Sequence, residues 1–375
     1  MQWLVPEPEW LGALPTDVAA HVRQLAALPG FPRHLARYSA VLKKLNEKHT
    51  GSAKVLAEQA WRLGGQDPVV RQHAHWAISK RVPGWHFGII NDDARNAIYQ
   101  AALNRHVRPG MIVFEVGTGT GILAMLAARA GAAHVYTCEM EPLLVEVARE
   151  NIARNGLTER VTVIPKRSDK VELGVDLPER ADLFVAEIVD NGLLGEEALG
   201  ITADVQARLL KPGAVLVPDQ IELRGTLVGG PLASRAFRAR PACGLDVSAL
   251  DRLGSGVVQS PAGLETDLAE DVVALHFDLA QAGSYRTAQT SVAVQGLRDG
   301  EAEGFLSWIW LRFGEGLEYT NRPPTVSCWG PRIHVFPTPM PVTAGHLVTM
   351  QVQHDCKRVN IWSEAGGAGV GEPAA

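Results

Sequence analysis

The chain has 375 residues, 46% of them hydrophobic, and a formal net charge of −5. That length exceeds one ordinary domain, so about two or three are expected, with ample material for a core. No long Lys/Arg block appears, which argues against direct nucleic-acid binding and leaves an acidic face suited to a basic substrate. Glu115 and several glycines interrupt the best apolar run before it reaches about eighteen residues, so no membrane partner is expected. Residues 1–8 lack the basic start and apolar core of a signal peptide. Cys138, Cys243, Cys328 and Cys356 are scattered with no CxxC pair, which argues against a metal site or a disulfide framework and fits a reducing compartment. A cytoplasmic protein without bound metal is expected.

Residues 1–80 read as helical. Ala57, Ala60 and Leu63 recur at helical spacing, and Asp67-Pro68 then starts a second helix from 69 to about 78, because Asp caps and Pro fits the first turn. The segment is either one tetratricopeptide-like hairpin or a plain helical cap on the next domain. Residues 81–218 alternate apolar strands (111–116, 133–138, 161–165, 181–187, 214–218) with helices (122–130, 142–155, 202–210). This alternation predicts a parallel sheet covered on both faces. Residues 219–362 change to short alternating runs (221–228, 272–278, 288–294, 305–312, 332–336, 347–353) separated by Gly and Pro, an antiparallel sandwich or barrel. An irregular segment at 231–265 interrupts it, and a small, polar tail at 363–375 is expected to be disordered.

Two places carry chemistry. Phe114-Glu115-Val116-Gly117-Thr118-Gly119-Thr120-Gly121-Ile122 joins the first strand of the sheet to its helix, and glycines there permit positive φ and close approach of backbone to a ligand. Ile122 stands where a dinucleotide fingerprint needs its third glycine, and no GK[ST] comes after it, so neither NAD nor a P-loop fits. Glu139 ends the next strand, where a carboxylate accepts two ribose hydroxyls. Farther on, Glu187 and Glu196 lie nine positions apart in Glu187-Ile188-Val189-Asp190-Asn191-Gly192-Leu193-Leu194-Gly195-Glu196, the loop that leaves the strand 181–187. Two acids in such a loop are either solvated or face one pocket, where they would hold a planar, permanently charged guanidinium.

The acid–GxGxG loop with a strand-end acid is similar to that of class I S-adenosylmethionine (SAM) methyltransferases. Residues 80–360 resemble the protein arginine N-methyltransferase family, most of all its divergent tetratricopeptide-containing branch. The resemblance implies an α/β fold: a Rossmann-like parallel sheet of the class I type, an N-terminal helical segment and a C-terminal antiparallel β-barrel. It implies SAM as cofactor and an arginine-containing protein or peptide as substrate. His86-Phe87-Gly88-Ile89 and the adjoining Asn91-Asp92-Asp93-Ala94-Arg95 match the segment that closes over SAM, with Phe87 on the cofactor and Arg95 on its carboxylate. Glu115, Gly117, Gly119 and Gly121 match the cofactor loop, Glu139 the ribose ligand, and Asp169, or Ser168 with a one-residue slip, the adenine contact. Glu187 and Glu196 match the catalytic double-E loop. The resemblance also implies a homodimer through an arm at 231–265.

Within that frame Asp190 either contacts a basic neighbour in the substrate or is a solvated turn acid. Trp329 either walls the arginine channel by a cation–π contact or packs the barrel. The chain departs from the family at Lys80-Arg81-Val82-Pro83-Gly84, which replaces an aromatic segment. It departs again at Ser327-Cys328-Trp329-Gly330-Pro331, where Cys328 replaces a histidine and a usual glutamine is missing. Two other readings remain: a class I methyltransferase acting on a small-molecule amine or metabolite, and a catalytically silent SAM-binding adaptor.

Overall fold

A computed structural model describes residues 6–45, 49–230, 239, 241–260 and 266–363. The chain divides into two compact units, Met1–Phe87 and Gly88–Ala375. In the first unit the helices are α1 (Glu9–Gly12), α2 (Thr16–Ala26), α3 (Phe31–Leu45), α4 (Thr50–Gly64) and α5 (Pro68–Arg81), and α6 (Trp85–Ile90) begins at its end. Asp67 caps α5 as expected, its carboxylate accepting the Val69 N–H at 2.8 Å, with Pro68 in the first turn. Phe31, Leu35 and Leu42 of α3 pack with Ala53, Leu56, Ala57 and Ala60 of α4 in one apolar core. The small residues of α4 let the two helices approach closely. Leu63, expected on the same face, is exposed instead.

The second unit opens with α7 (Asp93–His106) and then alternates: β1 (Ile112–Val116), α8 (Ile122–Arg129), β2 (His134–Cys138), α9 (Pro142–Arg154), β3 (Val161–Ile164), β4 (Ala181–Ala186), α10 (Ala198–Leu209) and β5 (Leu210–Val217). The five strands form one parallel sheet in the order β3-β2-β1-β4-β5. Strand order reverses between β1 and β4, which opens a crevice at their C-terminal ends, where ligands of open α/β sheets sit. β5 leaves α10 without the expected loop. Its Lys211-Pro212-Gly213 start is absorbed as an irregularity in the pairing with β4, and Gly213 takes φ 73°.

The remaining strands are β6 (Gln220–Gly229), β7 (Val257–Gln259), β8 (Thr266–Asp267), β9 (Val272–Asp278), β10 (Ala288–Gln295), β11 (Gly300–Arg312), β12 (Glu318–Thr320), β13 (Arg332–Val342), β14 (Leu347–His354) and β15 (Val359–Ser363). They make two antiparallel sheets. One runs β7-β13-β11-β6-β8, with β12 on β11 and β9 on β6; the other is β10-β14-β15. β11 carries Phe305, Ile309 and Leu311 into the core shared with the parallel sheet, and Leu306 and Trp308 into a second cluster with Val228, Val258 and Ile333. Of the segment 231–265, residues 231–238, 240 and 261–265 lie outside the described residues, as does the tail from 364 onward; Ser363 ends β15. Among the described residues no helix is long and apolar enough to cross a membrane, and no cluster of three or more His, Cys, Asp or Glu could hold a metal ion.

Candidate active site

The loop from β1 to α8 is built by its glycines. Gly117, Gly119 and Gly121 adopt φ of 83°, 51° and 87°, which side-chain-bearing residues resist. The N–H groups of Gly117 and Thr118 bond the carbonyl of Cys138 at the end of β2, at 3.1 and 3.2 Å, and so fix the loop across the crevice. Glu139, just beyond β2, supports it from below: Oε2 accepts the Gly119 N–H at 3.0 Å and Oε1 the Glu141 N–H at 2.9 Å. Each carboxylate oxygen retains a second lone pair, so Glu139 can still accept a ribose hydroxyl.

Two buried side chains at this end of the sheet lack a full set of partners. Glu115 on β1 is 1% exposed, and its Oε2 has no hydrogen-bond partner. Burial pushes its carboxyl up to about 8, against the opposing influence of Thr137 and Arg95. Arg95 on α7 is 2% exposed, and its Nε has no partner. Its Nη1 donates to Asn96 Oδ1 at 2.8 Å, its Nη2 to Glu187 Oε2 at 3.2 Å, and its guanidinium lies 4.9 Å from the ring of Tyr99. Unsatisfied buried polar atoms are rare and point to something missing. A buried carboxylate acceptor and a buried guanidinium donor within electrostatic reach of each other suit the ammonium and carboxylate of an amino-acid head, so the residues present fit the methionine end of SAM.

Asp92 positions Arg95. Its Oδ1 caps α7 by accepting the Arg95 backbone N–H at 2.9 Å. Its Oδ2 accepts the Cys328 N–H at 2.9 Å and the Tyr319 hydroxyl at 3.1 Å, tying the helix to the loop before β13. Cys328 therefore takes part through its backbone. Burial, with Asp92 adding to it, pushes its thiol up to about 12, so it offers no base in place of the histidine that the resemblance implies.

Glu187 comes directly after β4, and its side chain is 11% exposed. Burial pushes its carboxyl up to about 8, outweighing Arg95, and the nearby charge of Glu196 adds to the rise. Glu196 closes the loop at an exposed position. Desolvation, then Asp190, pushes it up to about 7, a shift that its solvent access softens relative to that of Glu187. Within the loop Asp190 Oδ1 accepts the N–H groups of Gly192 and Gly195 at 3.1 and 2.9 Å, and Oδ2 accepts Arg332 Nη2 at 3.0 Å. Asp190 thus organises the loop from inside and is not a solvated turn acid. Leu193 and Glu197 adopt φ of 75° and 63°, unusual for residues with side chains. Trp329 Nε1 donates to the Val189 carbonyl at 3.1 Å, and Lys357 pairs with Glu197. Trp329 is 4% exposed and meets Tyr319 edge-on at 5.5 Å, so of the two expectations for it packing is the one the structure carries.

Other expected residues lie differently. Asp169 is exposed, with its carboxylate on Arg167 and Lys170. Half-buried Ser168 beside it receives Arg208 Nη2 on its carbonyl at 2.9 Å. Phe87 is the last residue of the first unit and is 71% exposed. Sequence reasoning assigns no separate role to Asp92, Tyr319, Arg332 or Lys357. Asp92 has a local signal, an acid before a helix; Arg332 has none, because its partner lies 142 residues away.

Comparisons with known proteins bear on the fold and the family. The family model for ribosomal protein L11 methyltransferase (PrmA) matches residues 86–217, the stretch that holds the parallel sheet and glycine loop. An arginine N(omega)-methyltransferase of Streptomyces achromogenes subsp. streptozoticus is 34% identical over 352 residues, covering 88% of this chain and 96% of its own. Protein arginine N-methyltransferase 9 of Xenopus laevis is 28% identical over 295 residues, 68% of this chain but 35% of its own. This chain thus spans about a third of that longer relative. The Trypanosoma brucei PRMT1 enzyme–prozyme heterotetrameric complex with AdoHcy shares the fold, with a TM-score of 0.65 at 20% identity over 74% of this chain and 91% of that one.

The orphaned Glu115 gives a stability test. A carboxyl raised from 4.5 to about 8 on folding costs native stability once the unfolded chain ionises, and the cost grows until the folded group ionises too. Glu115→Gln removes that cost. Urea unfolding of the ligand-free protein should show no gain below about pH 4.5, and a rising gain that levels off near pH 8 at on the order of 2–4 kcal/mol. A pH-independent effect would contradict the assignment.

Proposed function

The chain belongs to the arginine N-methyltransferase family, and on that premise we propose that it transfers a methyl group to an ω-nitrogen of arginine in a protein or peptide, with Glu187 and Glu196 gripping the guanidinium. One observation supports this above the others. Two carboxylates held above their ordinary range stand at the ends of one loop, and the first of them touches Arg95, the residue fitted to the cofactor. When bound, SAM supplies an electrophilic methyl on a sulfonium.

The chain's own residues do the rest. Arg95 and Glu115 hold the carboxylate and ammonium of the cofactor head, the glycine loop lets backbone approach it, and Glu139 takes the ribose. Ser168 is the better placed of the two adenine candidates, since Asp169 is engaged at the surface. Glu187 and Glu196 orient the guanidinium and draw its charge toward the nitrogens they contact, leaving another nitrogen free to attack; most of the rate gain is positioning. A guanidinium between them favours their charged forms, so they ionise as it binds. Glu196, the more open of the two, is suited to take the departing proton, because its carboxyl lies near neutral pH.

A second reading has one observation in its favour. The relative matched over nearly its whole length is named for arginine rather than protein arginine, so free arginine is an acceptor to be tried beside a peptide. Radiolabelled SAM with an arginine-rich peptide and with L-arginine, then mass spectrometry of the products, separates the two. Glu187→Gln and Glu196→Gln should each lower transfer by at least about a hundredfold while calorimetry finds SAM still bound. Normal turnover in both variants would sink the clamp, and intact SAM binding with no transfer to either acceptor by the wild type would favour a silent adaptor.

A homodimer and a cytoplasmic location belong to the same reading. The described part of the segment 231–265 exposes Leu245, Leu250 and Leu253, at 67%, 61% and 83%, the kind of apolar surface a second copy covers. All four cysteines are free, as a reducing compartment favours. Sedimentation should give a dimer at micromolar concentration and a monomer for Leu250→Asp/Leu253→Asp; a wild-type monomer under those conditions removes the dimer. Fractionation of the expressing cells checks the location.

A further inference from the structure

Asp190 and Arg332 form a pair that the clamp does not itself require. Arg332 is the first residue of β13, and its backbone is fixed from both sides, opposite Ser307 of β11 and Gln259 of β7. From that rigid position its side chain reaches the loop that carries the two glutamates. Asp190 accepts Arg332 Nη2 on one carboxylate oxygen and the Gly192 and Gly195 N–H groups on the other. The contact is close-fitted. A Cβ on Gly192 would stand 2.3 Å from Arg332 Nη1, and one on Gly195 would stand 2.5 Å from Asp190 Oδ2. Gly195 immediately precedes Glu196, so the position of the Asp190 carboxylate is passed to Glu196 through a single peptide.

The loop needs such a restraint. Leu193 and Glu197 adopt left-handed conformations that cost about 1 kcal/mol or more each and persist only where the surroundings impose them. The pair also changes what the site can read. Asp190 alone would present an acid to the acceptor, whereas Asp190 bonded to a guanidinium presents a nearly neutral unit. Both members are partly buried, Arg332 with a side-chain exposure of 35% and Asp190 with 25%, so solvent does not fully screen them.

We propose that Arg332 is a positioning residue for Glu196, acting through Asp190, and that the same pairing withdraws Asp190 from recognition of basic groups beside the target arginine. This rests on the proposed arginine clamp for its meaning in catalysis, but the restraint can be measured without turnover. Three variants separate the roles. Arg332→Met keeps the length and apolar contact of the side chain and removes the charge. Arg332→Lys returns a charge without the planar fork. Asp190→Asn keeps the shape and weakens the pair.

Hydrogen exchange read by mass spectrometry over residues 187–197 should show faster exchange in Arg332→Met, by about tenfold, with the rest of the protein unchanged and partial recovery in Arg332→Lys. With whichever acceptor the wild type methylates, Arg332→Met should raise the acceptor KM by about tenfold, with SAM affinity unchanged within about twofold, and Arg332→Lys should recover part of the loss. If a peptide is the acceptor, Arg332→Met alone should gain a preference of about fivefold for a lysine beside the target arginine, a preference that Asp190→Asn removes. Unchanged exchange in Arg332→Met overturns the restraint, and altered exchange with wild-type KM overturns the positioning role. Absence of transfer by the wild type to any arginine probe counts against the proposed function, while the exchange result still decides whether the restraint exists.

Discussion

The contact between Arg95 and Glu187 is the point on which the site depends. It joins α7 to the end of β4, in a setting where both side chains are almost wholly removed from water. Such a pair recovers its desolvation cost only if the remaining polar atoms are satisfied. Here they are not: Arg95 Nε and Glu115 Oε2 stay without partners, and both Glu115 and Glu187 are held well above the ordinary carboxylate range. The ligand-free site is therefore electrostatically incomplete. In the proposed function, a carboxylate and an ammonium at one end and a guanidinium at the other would complete it.

The two halves of the second unit contribute differently. The parallel sheet fixes where the acids stand, because Glu115, Glu139 and Glu187 lie on or directly after β1, β2 and β4, at the crevice where strand order reverses. The antiparallel half fixes how the loop 187–197 is shaped. Trp329 holds the Val189 carbonyl, Arg332 holds Asp190, and Lys357 holds Glu197. Asp92 links the two, since one of its oxygens caps the Arg95 helix and the other holds the Cys328 loop. Replacing the family's histidine by Cys328 leaves this link intact, because it runs through the backbone.

Local signals are readable from sequence and distant ones are not. The glycine loop announces itself because its positive φ values demand Gly, and Glu115 and Glu139 can be placed because apolar runs lead into them. The spacing of Glu187 and Glu196 is legible as a loop of fixed length. The role of Asp190 is not, because it depends on a residue 142 positions away. Trp329 is ambiguous for the same reason, since only its contact with Val189 and Tyr319 shows that it packs. Asp169 stands at the right position in a motif, but its carboxylate is held by adjacent basic residues. The length of β13 is hidden by Pro337, Pro339 and Pro341, which signal against a strand.

The central claim is that a guanidinium binds between Glu187 and Glu196 and ionises them. Calorimetric titration of the arginine acceptor into protein saturated with S-adenosylhomocysteine, at about pH 7 in buffers of different ionisation enthalpy, counts the protons released. With carboxyls at about 8 and about 7 in the ligand-free site, release of about one to one and a half protons is expected, falling to about half a proton in Glu187→Gln. Binding heats that do not depend on the buffer, or a release that Glu187→Gln leaves unchanged, would contradict it.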